Sequence, residues 1–279
     1  MARLLDTLEM SPDGEDNFVG ASLHRPGGRI FGGQVLAQAL LAAGRTVPAD
    51  RLPHSLHGYF LRPGDVAQPT TFAVERLRDG RSFSARRTHA VQRGLPILSM
   101  ITSFQEEQAG LDHSDPMPDV PSPSEVGSAH DVLGTVDHPL AQFWIQQSAF
   151  DLRHIDDSIF LGPGPTATDR QMVWMKARGA VPSDQLMHRA LLAYACDQVM
   201  LEPALRKHSQ SWVSPGLSMA SLDHAMWFHR PVRVDQWLLY VQNSPTAHGG
   251  RALTAAKVYA QSGTLVASIA QEGMIRLPS

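Results

Sequence analysis

The chain has 279 residues, 43% of them hydrophobic and 18% charged, and carries a formal net charge of -3. That length exceeds the usual single hydrophobic core, so two domains or one large composite are expected. The near-balanced charge gives no bulk attraction to nucleic acid or to an anionic membrane, and neither is expected as a partner. Cys196 is the only cysteine, which excludes an intramolecular disulfide and fits a reducing compartment. Asp6, Glu9, Asp13, Glu15 and Asp16 interrupt any apolar leader between Met1 and Gly20, and no stretch has the length and apolarity of a membrane span. The terminal Leu277-Pro278-Ser279 is not the usual peroxisomal tripeptide, so a cytoplasmic location is the expectation.

Taken in order, Phe18 to Leu23 reads as a short strand and Pro26-Gly27-Gly28 as a turn. Gly32-Gly33 then opens a helix from Gln34 to Gly44, with Val35, Leu36, Ala39, Leu40 and Ala43 on one side. Uncovered N–H groups at such a start suit an anion or a developing oxyanion, and equally suit close packing against a sheet, which is the preferred reading. Strands follow at Ser55 to Leu61, Thr70 to Leu77, Ser82 to Gln92 and Leu95 to Gln105, broken by Pro63-Gly64, Asp79-Gly80 and Arg93-Gly94. One helix followed by antiparallel strands is an α+β pattern. Gln108 to about Pro139 is acidic and rich in proline and serine, a solvated linker by composition. Ala141 to Phe160 predicts a strand or two, and Met172 to Met175 another. The helix over Ser183 to Leu205 is capped by Ser183 and ended by Pro203. Strands at Leu217 to Phe228, Gln236 to Val241, Arg251 to Ala260 and Thr264 to Met274 complete the chain.

Inside that second helix stands Asp197, with Ala193, Tyr194, Met200 and Leu201 one turn away and no local cation. A carboxylate there must face water, a ligand or distant polar partners. The two halves also repeat. Ser55-Leu56 and Tyr59-Phe60-Leu61-Arg62-Pro63 match Ser221-Leu222 and Trp227-Phe228-His229-Arg230-Pro231, allowing a small insertion. Ser103 to Glu106 matches Ile269 to Glu272, and Gly33-Gln34-Val35 matches Asp197-Gln198-Val199. Three matches in one order mark a duplicated helix-on-sheet unit. The copy that keeps the acid is then the working one, which singles out Asp197, Ser221 and Gln271.

Phe31-Gly32-Gly33-Gln34, His54 to Gly64, Ala193-Tyr194-Ala195-Cys196-Asp197, Ser221 to Pro231 and Gln271-Glu272-Gly273 together resemble acyl-CoA thioesterase II, the TesB type, over nearly the whole chain outside the linker. The resemblance implies a double hotdog, two helix-on-antiparallel-sheet repeats forming a pseudo-dimer. The N-terminal repeat would span 1–107, the linker 108–140, and the C-terminal repeat with the catalytic residues 141–279. It places the family's catalytic aspartate, hydroxyl residue and glutamine on Asp197, Ser221 and Gln271, with serine where several members carry threonine. It also implies hydrolysis of acyl-CoA to a fatty acid and coenzyme A, no cofactor, and a homo-oligomer, dimer or tetramer.

Candidate substrate contacts are Gly32, Gly33, His57, Arg62 and Arg230. The two arginines would meet phosphates or, on the preferred reading, close each sheet by salt bridges, with Arg86, Arg87, Arg206 and Lys207 as alternative phosphate contacts. No metal is expected, since there is no H-E-x-x-H or cysteine set, and His54 and His57 face opposite sides of a strand. Gly216 to Ala220 brushes against a nucleophile elbow at Ser218 but lacks its second glycine. Acylation of Ser221, with His224 or Asp197 as activator, is not demanded by the spacing. Two alternatives stay open: a hotdog-fold enoyl-CoA hydratase and a non-catalytic acyl-CoA binder or sensor.

Overall fold

A computed structural model describes residues 1–278 apart from Thr135 and His138, which fall inside the predicted linker; Ser279 also lies outside the described residues. The first half runs α1 (Ala2–Leu8), β1 (Ser11–Pro12), β2 (Asn17–Gly20), α2 (Gly32–Gly44), β3 (Arg51–Phe60), β4 (Thr70–Asp79), β5 (Phe83–Gln92) and β6 (Leu95–Glu106). After the helices α3 (Ala129–Gly134) and α4 (Pro139–Gln147) come β7 (Phe150–His154), β8 (Arg170–Ala177), α5 (Gln185–Cys196) and α6 (Glu202–Lys207). The chain closes with β9 (Ser218–Ser221), β10 (Asp223–Phe228), β11 (Leu238–His248), β12 (Arg251–Ala260) and β13 (Leu265–Arg276).

The strands form one sheet in the order β1-β2-β4-β5-β6-β3-β10-β13-β12-β11-β8-β7, with β9 added on β13. The halves meet edge to edge through the antiparallel pair β3–β10, where Leu56 faces Met226 and His57 faces Ala225. This pairing removes the exposed edge that each half would otherwise present. Helix α2 packs on β3 to β6 on one side and on α5 on the other, so every residue from Gly33 to Ala43 is buried. Fully buried Leu36 and Leu40 each contribute about 2 kcal/mol by leaving water. Its two buried amides are satisfied: Gln34 accepts from Leu23 N at 3.0 Å, and Gln38 Nε2 donates to Thr7 O at 2.9 Å and Ala21 O at 3.0 Å. These bonds tie the N-terminal segment to the helix.

Several expected elements differ. The helix over Ser183 to Leu205 is broken in two, and the turn between α5 and α6 begins at Asp197. Asp184, not Ser183, is its N-cap, accepting from Met187 N at 2.9 Å. Pro203 lies in the first turn of α6, where its missing N–H has no intrahelical partner to lose, so it starts a helix rather than ending one. Of the span 141–160, expected as a strand or two, Phe150–His154 is the strand β7 but residues 141–147 lie in the helix α4. There Ala141, Trp144 and Ile145, three and four residues apart, join one apolar cluster, and Trp144 meets Phe160 at 4.9 Å. The proline-rich segment is not merely solvated. Met117, Val120 and Val126 pack beside Trp174, Leu239 and Tyr259, Pro121 O accepts from Trp174 Nε1 at 2.9 Å, and Asp112 and Asp115 pair with Arg230 and Lys257.

The internal repeat is real at one match and displaced at the others. Arg62 Nη1 donates to Pro96 O and Arg230 Nη1 to Leu265 O, while Leu61 N and His229 N bond Ile97 O and Val266 O in the same way. Counting from Phe60 and Phe228, the counterpart of Ser221 is Pro53, not Ser55; counting from Ile97 and Val266, the counterpart of Gln271 is Thr102, not Gln105. Pro53 pairs with Phe104 as Ser221 pairs with Gly273, which fixes that register independently. Gly33 and Asp197 stand at opposite ends of equivalent helices; the residue that caps the end of α2, as Asp197 caps α5, is Arg45.

Candidate active site

Three elements deliver the site. Asp197 caps the C-terminal end of α5, Ser221 ends β9, and Gln271 projects inward from the adjacent strand β13. Asp197 Oδ1 accepts from Ser221 Oγ at 2.9 Å and from Gln271 Nε2 at 3.0 Å. Gln271 Nε2 also donates to Ser221 Oγ at 2.9 Å. Asp197 Oδ2 accepts from the backbone N–H of Gly33 at 2.8 Å, across the contact between α2 and α5. That approach requires glycine: a Cβ at Gly33 would stand 2.5 Å from Tyr194 O.

Four lone-pair directions belong to a carboxylate, and three are occupied here. The fourth, on Oδ2, borders the space left by Gly32, where a Cβ would stand 2.8 Å from that oxygen and 3.0 Å from Phe60 Cζ. Asp197, Gly32 and Ser221 all line a cavity of about 690 Å³. Burial pushes the Asp197 carboxyl above its ordinary 3.8, against the opposing pull of nearby His224 and of its three hydrogen bonds. His224 lies behind Gln271, with Nδ1 2.7 Å from Gln271 Oε1, and burial pushes its pKa below the ordinary 6.5.

The structure brings Asp197, Ser221, Gln271, Gly32 and Gly33 together, and Arg62 lines the same cavity. His57 lies elsewhere, edge-on to Trp227 at 5.1 Å on the exposed face of the seam strands. Arg230 pairs with Asp112 of the proline-rich segment, outside the cavity lining. Arg86, read as an alternative phosphate contact, is buried against Thr46 and Asp79; Arg206 is likewise enclosed by Gln171 and Asp157. Ser218 does not line the cavity, and His224 contacts Gln271 rather than Ser221. Residues the sequence reading passed over are Arg25 and Arg29, which line the cavity with Arg62, and Trp144, Phe160 and Trp212, which line it as well. Arg25 lies 4.7 Å over the Phe31 ring. No periodicity marks such loop arginines; their closeness to Pro26-Gly27-Gly28 was the available signal. Among the described residues there is no cluster of three metal-ligating side chains and no helix long and apolar enough to cross a membrane.

A family profile described as acyl-CoA thioesterase matches residues 158–274, and one described as acyl-CoA thioesterase N-terminal domain matches residues 21–105. Acyl-coenzyme A thioesterase 8 from Homo sapiens is 38% identical over 97% of this chain and 88% of its own length. The chain belongs to the acyl-CoA thioesterase II family. Acyl-CoA thioesterase 2 from Haemophilus influenzae is 36% identical over 89% of this chain and 88% of its own length. The solved structure of the thioesterase II TesB2 from Mycobacterium marinum, 42% identical, superposes with a TM-score of 0.83 over 99% of both chains. A hotdog-fold protein from Alicyclobacillus acidocaldarius, 23% identical, matches with a TM-score of 0.81 over 99% of both chains, which speaks to the fold alone. For this thioesterase II the architecture is accordingly the α+β double hotdog.

Proposed function

We propose that this chain hydrolyses acyl-CoA thioesters by direct attack of a water molecule that Asp197 deprotonates. The observation that carries this reading is the carboxylate itself: three donors hold it, and one lone pair remains toward the cavity. The water oxygen bonds to the thioester carbon as its proton passes to Asp197 Oδ2. Collapse of the tetrahedral intermediate then breaks the C–S bond, and the proton passes on to the departing thiolate. Ser221 and Gln271 orient the carboxylate and the water. Gly33 N–H is committed to Asp197, so the oxyanion role falls to the N–H of Gly32, a cavity-lining residue at the positive end of α2. The acyl chain lies against the apolar walls that include Phe31, Phe60 and Ile97. Release of thiol from palmitoyl-CoA and shorter esters is the test. Tight binding without thiol release, or hydration of an enoyl-CoA in its place, would overturn the reading.

Two further results are expected. The base works only when ionised, and its carboxyl is held above 3.8, so kcat/KM falls as pH drops through that raised value. A pH profile of Asp197→Asn should lack this acid limb; a limb unchanged by the substitution would assign it to another group. The second concerns the charge of the cavity lining, where Arg25, Arg29 and Arg62 outnumber Asp197, the one carboxylate among the described lining residues. Guanidinium groups there suit the phosphates of coenzyme A. Replacing Arg29 and Arg62 together by alanine should raise KM for acyl-CoA about tenfold, the loss of one partly solvated charge-assisted hydrogen bond. A thioester of N-acetylcysteamine, which lacks phosphate, should show no such increase.

A further inference from the structure

We propose that His224 is a positioning residue for the hydrolysis: its Nδ1–H fixes the orientation of the Gln271 amide and thereby aims the donor end of that amide at Asp197 and Ser221. The two ends of a glutamine amide have nearly the same shape, so packing alone does not choose between them. Here the end beside Asp197 Oδ1 must be the NH2, because a carboxylate only accepts. Gln271 Oε1 is then turned to His224 Nδ1 at 2.7 Å, and a good bond there needs a proton on that nitrogen. With the proton on Nε2 instead, the bare Nδ1 would face the amide oxygen. Flipping the amide to relieve this would set two acceptor oxygens against each other at Asp197. On the far side, Nε2 faces the Cys196 thiol at 3.3 Å, and that thiol also lies 3.2 Å from Ala193 O. A thiol is a weak partner for either ring state, so the stronger bonds at the carboxylate decide the tautomer.

The first repeat supplies an internal control. The position of His224, four residues before Phe228, is held in β3 by Leu56, four before Phe60, and Leu56 is fully buried. Cys196, immediately before the helix-capping Asp197, corresponds to Gly44 before Arg45. The chain Cys196, His224, Gln271, Ser221, Asp197 of one copy is thus Gly44, Leu56, Thr102, Pro53, Arg45 in the other. The fold accepts a leucine at this place on the seam strand; the copy with the carboxylate has a buried imidazole, 1% exposed, whose polar partner is Gln271.

The inference rests on the proposed reaction, and the experiment separates the two. Asparagine presents an N–H near the place of Nδ1, whereas glutamine reaches toward the place of Nε2. His224→Asn should keep kcat within about fivefold of the wild type, and His224→Gln and His224→Leu should lower it about 10- to 100-fold with KM changed less than threefold. In the Gln271→Ala background, His224→Leu should cause no further loss, because its effect passes through the missing amide. The unmutated enzyme offers a second readout: with 15N-labelled histidine, the ring assigned to His224 should show a protonated Nδ1 and a bare Nε2. An Nε2–H tautomer, or losses from His224→Leu and Gln271→Ala that simply multiply, would overturn the proposal. Normal turnover by Asp197→Asn would remove the base assignment while leaving the coupling of His224 to Gln271 to be read from the same double-mutant cycle.

Discussion

Replacing Asp197 by asparagine is expected to lower kcat about 1000-fold while leaving the protein folded. The size follows from what the side chain does in the proposed reaction: it is the proton acceptor, and general-base catalysis supplies about 10²- to 10⁴-fold. Asparagine is close to isosteric, and its Oδ1 can still accept from Ser221 and Gln271, so two of the three bonds to this position survive. The third, from Gly33 N–H, meets an NH2 group and is lost. Against that stands the removal of a carboxylate whose ionisation burial disfavours. A carboxyl with a raised folded pKa contributes most stability when protonated and loses it as pH rises through that value, so at neutral pH its charge burdens the fold. The melting midpoint should therefore stay within about 4 °C of the wild type, the shift expected for ~1 kcal/mol. Steady-state thiol release and a thermal melt check both halves. A folded variant with wild-type turnover would remove Asp197 from the chemistry.

Gly32→Ala should be nearly as damaging, by a different route. Gly32 has ordinary helical backbone geometry at the start of α2, and alanine is a better helix former, so no conformational penalty is expected. What alanine brings is a methyl group 2.8 Å from Asp197 Oδ2 and 3.0 Å from the Phe60 ring. The carboxylate or the ring must move, and the open lone pair that would receive the water proton is the one covered. Misplacement of reacting groups by about 1 Å costs on the order of 100-fold, and we expect that loss in kcat with a melting midpoint little changed. Gly33→Ala supplies the contrast. There the new methyl would stand 2.5 Å from the backbone oxygen of Tyr194, pressing α2 off α5, so stability should fall by about 1–3 kcal/mol along with activity. If Gly32→Ala loses stability but keeps turnover, the space beside Oδ2 is packing and not a reaction site.

Much of this site was legible before any coordinates. An acid in an apolar helical run without a cation nearby pointed to Asp197, and the aromatic-Arg-Pro block showed the duplication. Asp197, Ser221 and Gln271 do meet at one carboxylate. Yet the pairing between copies that singled them out was partly wrong, since it set Gly33, Ser55 and Gln105 against them where the helix ends and the sheet register set Arg45, Pro53 and Thr102. The first copy lacks the acid under either alignment, so both select the same three residues. Apolar spacing did not reveal the break after Cys196, because Val199 and Met200 in the turn are as buried as the helix before them. It did not reveal His224 either: Asp223 to Phe228 alternates like any strand, and an inward histidine there differs from an inward leucine only once Gln271 is known to lie beside it. Arg230 was drawn in by the repeat, and His57 by its place in the same strand block as Arg62. Their positions serve the seam strands and the contact with the proline-rich segment, which a linear pattern does not distinguish from a cavity wall.

A single turnover in oxygen-18 water, with enzyme in excess over palmitoyl-CoA, bears most directly on attack by water. The fatty acid and the peptides containing Asp197 and Ser221 would be weighed after rapid quenching. Direct attack puts one heavy oxygen in the fatty acid, none in the protein, and leaves no added acyl mass on either peptide. Heavy oxygen in the Asp197 carboxylate, or an acyl group caught on Ser221, would contradict it.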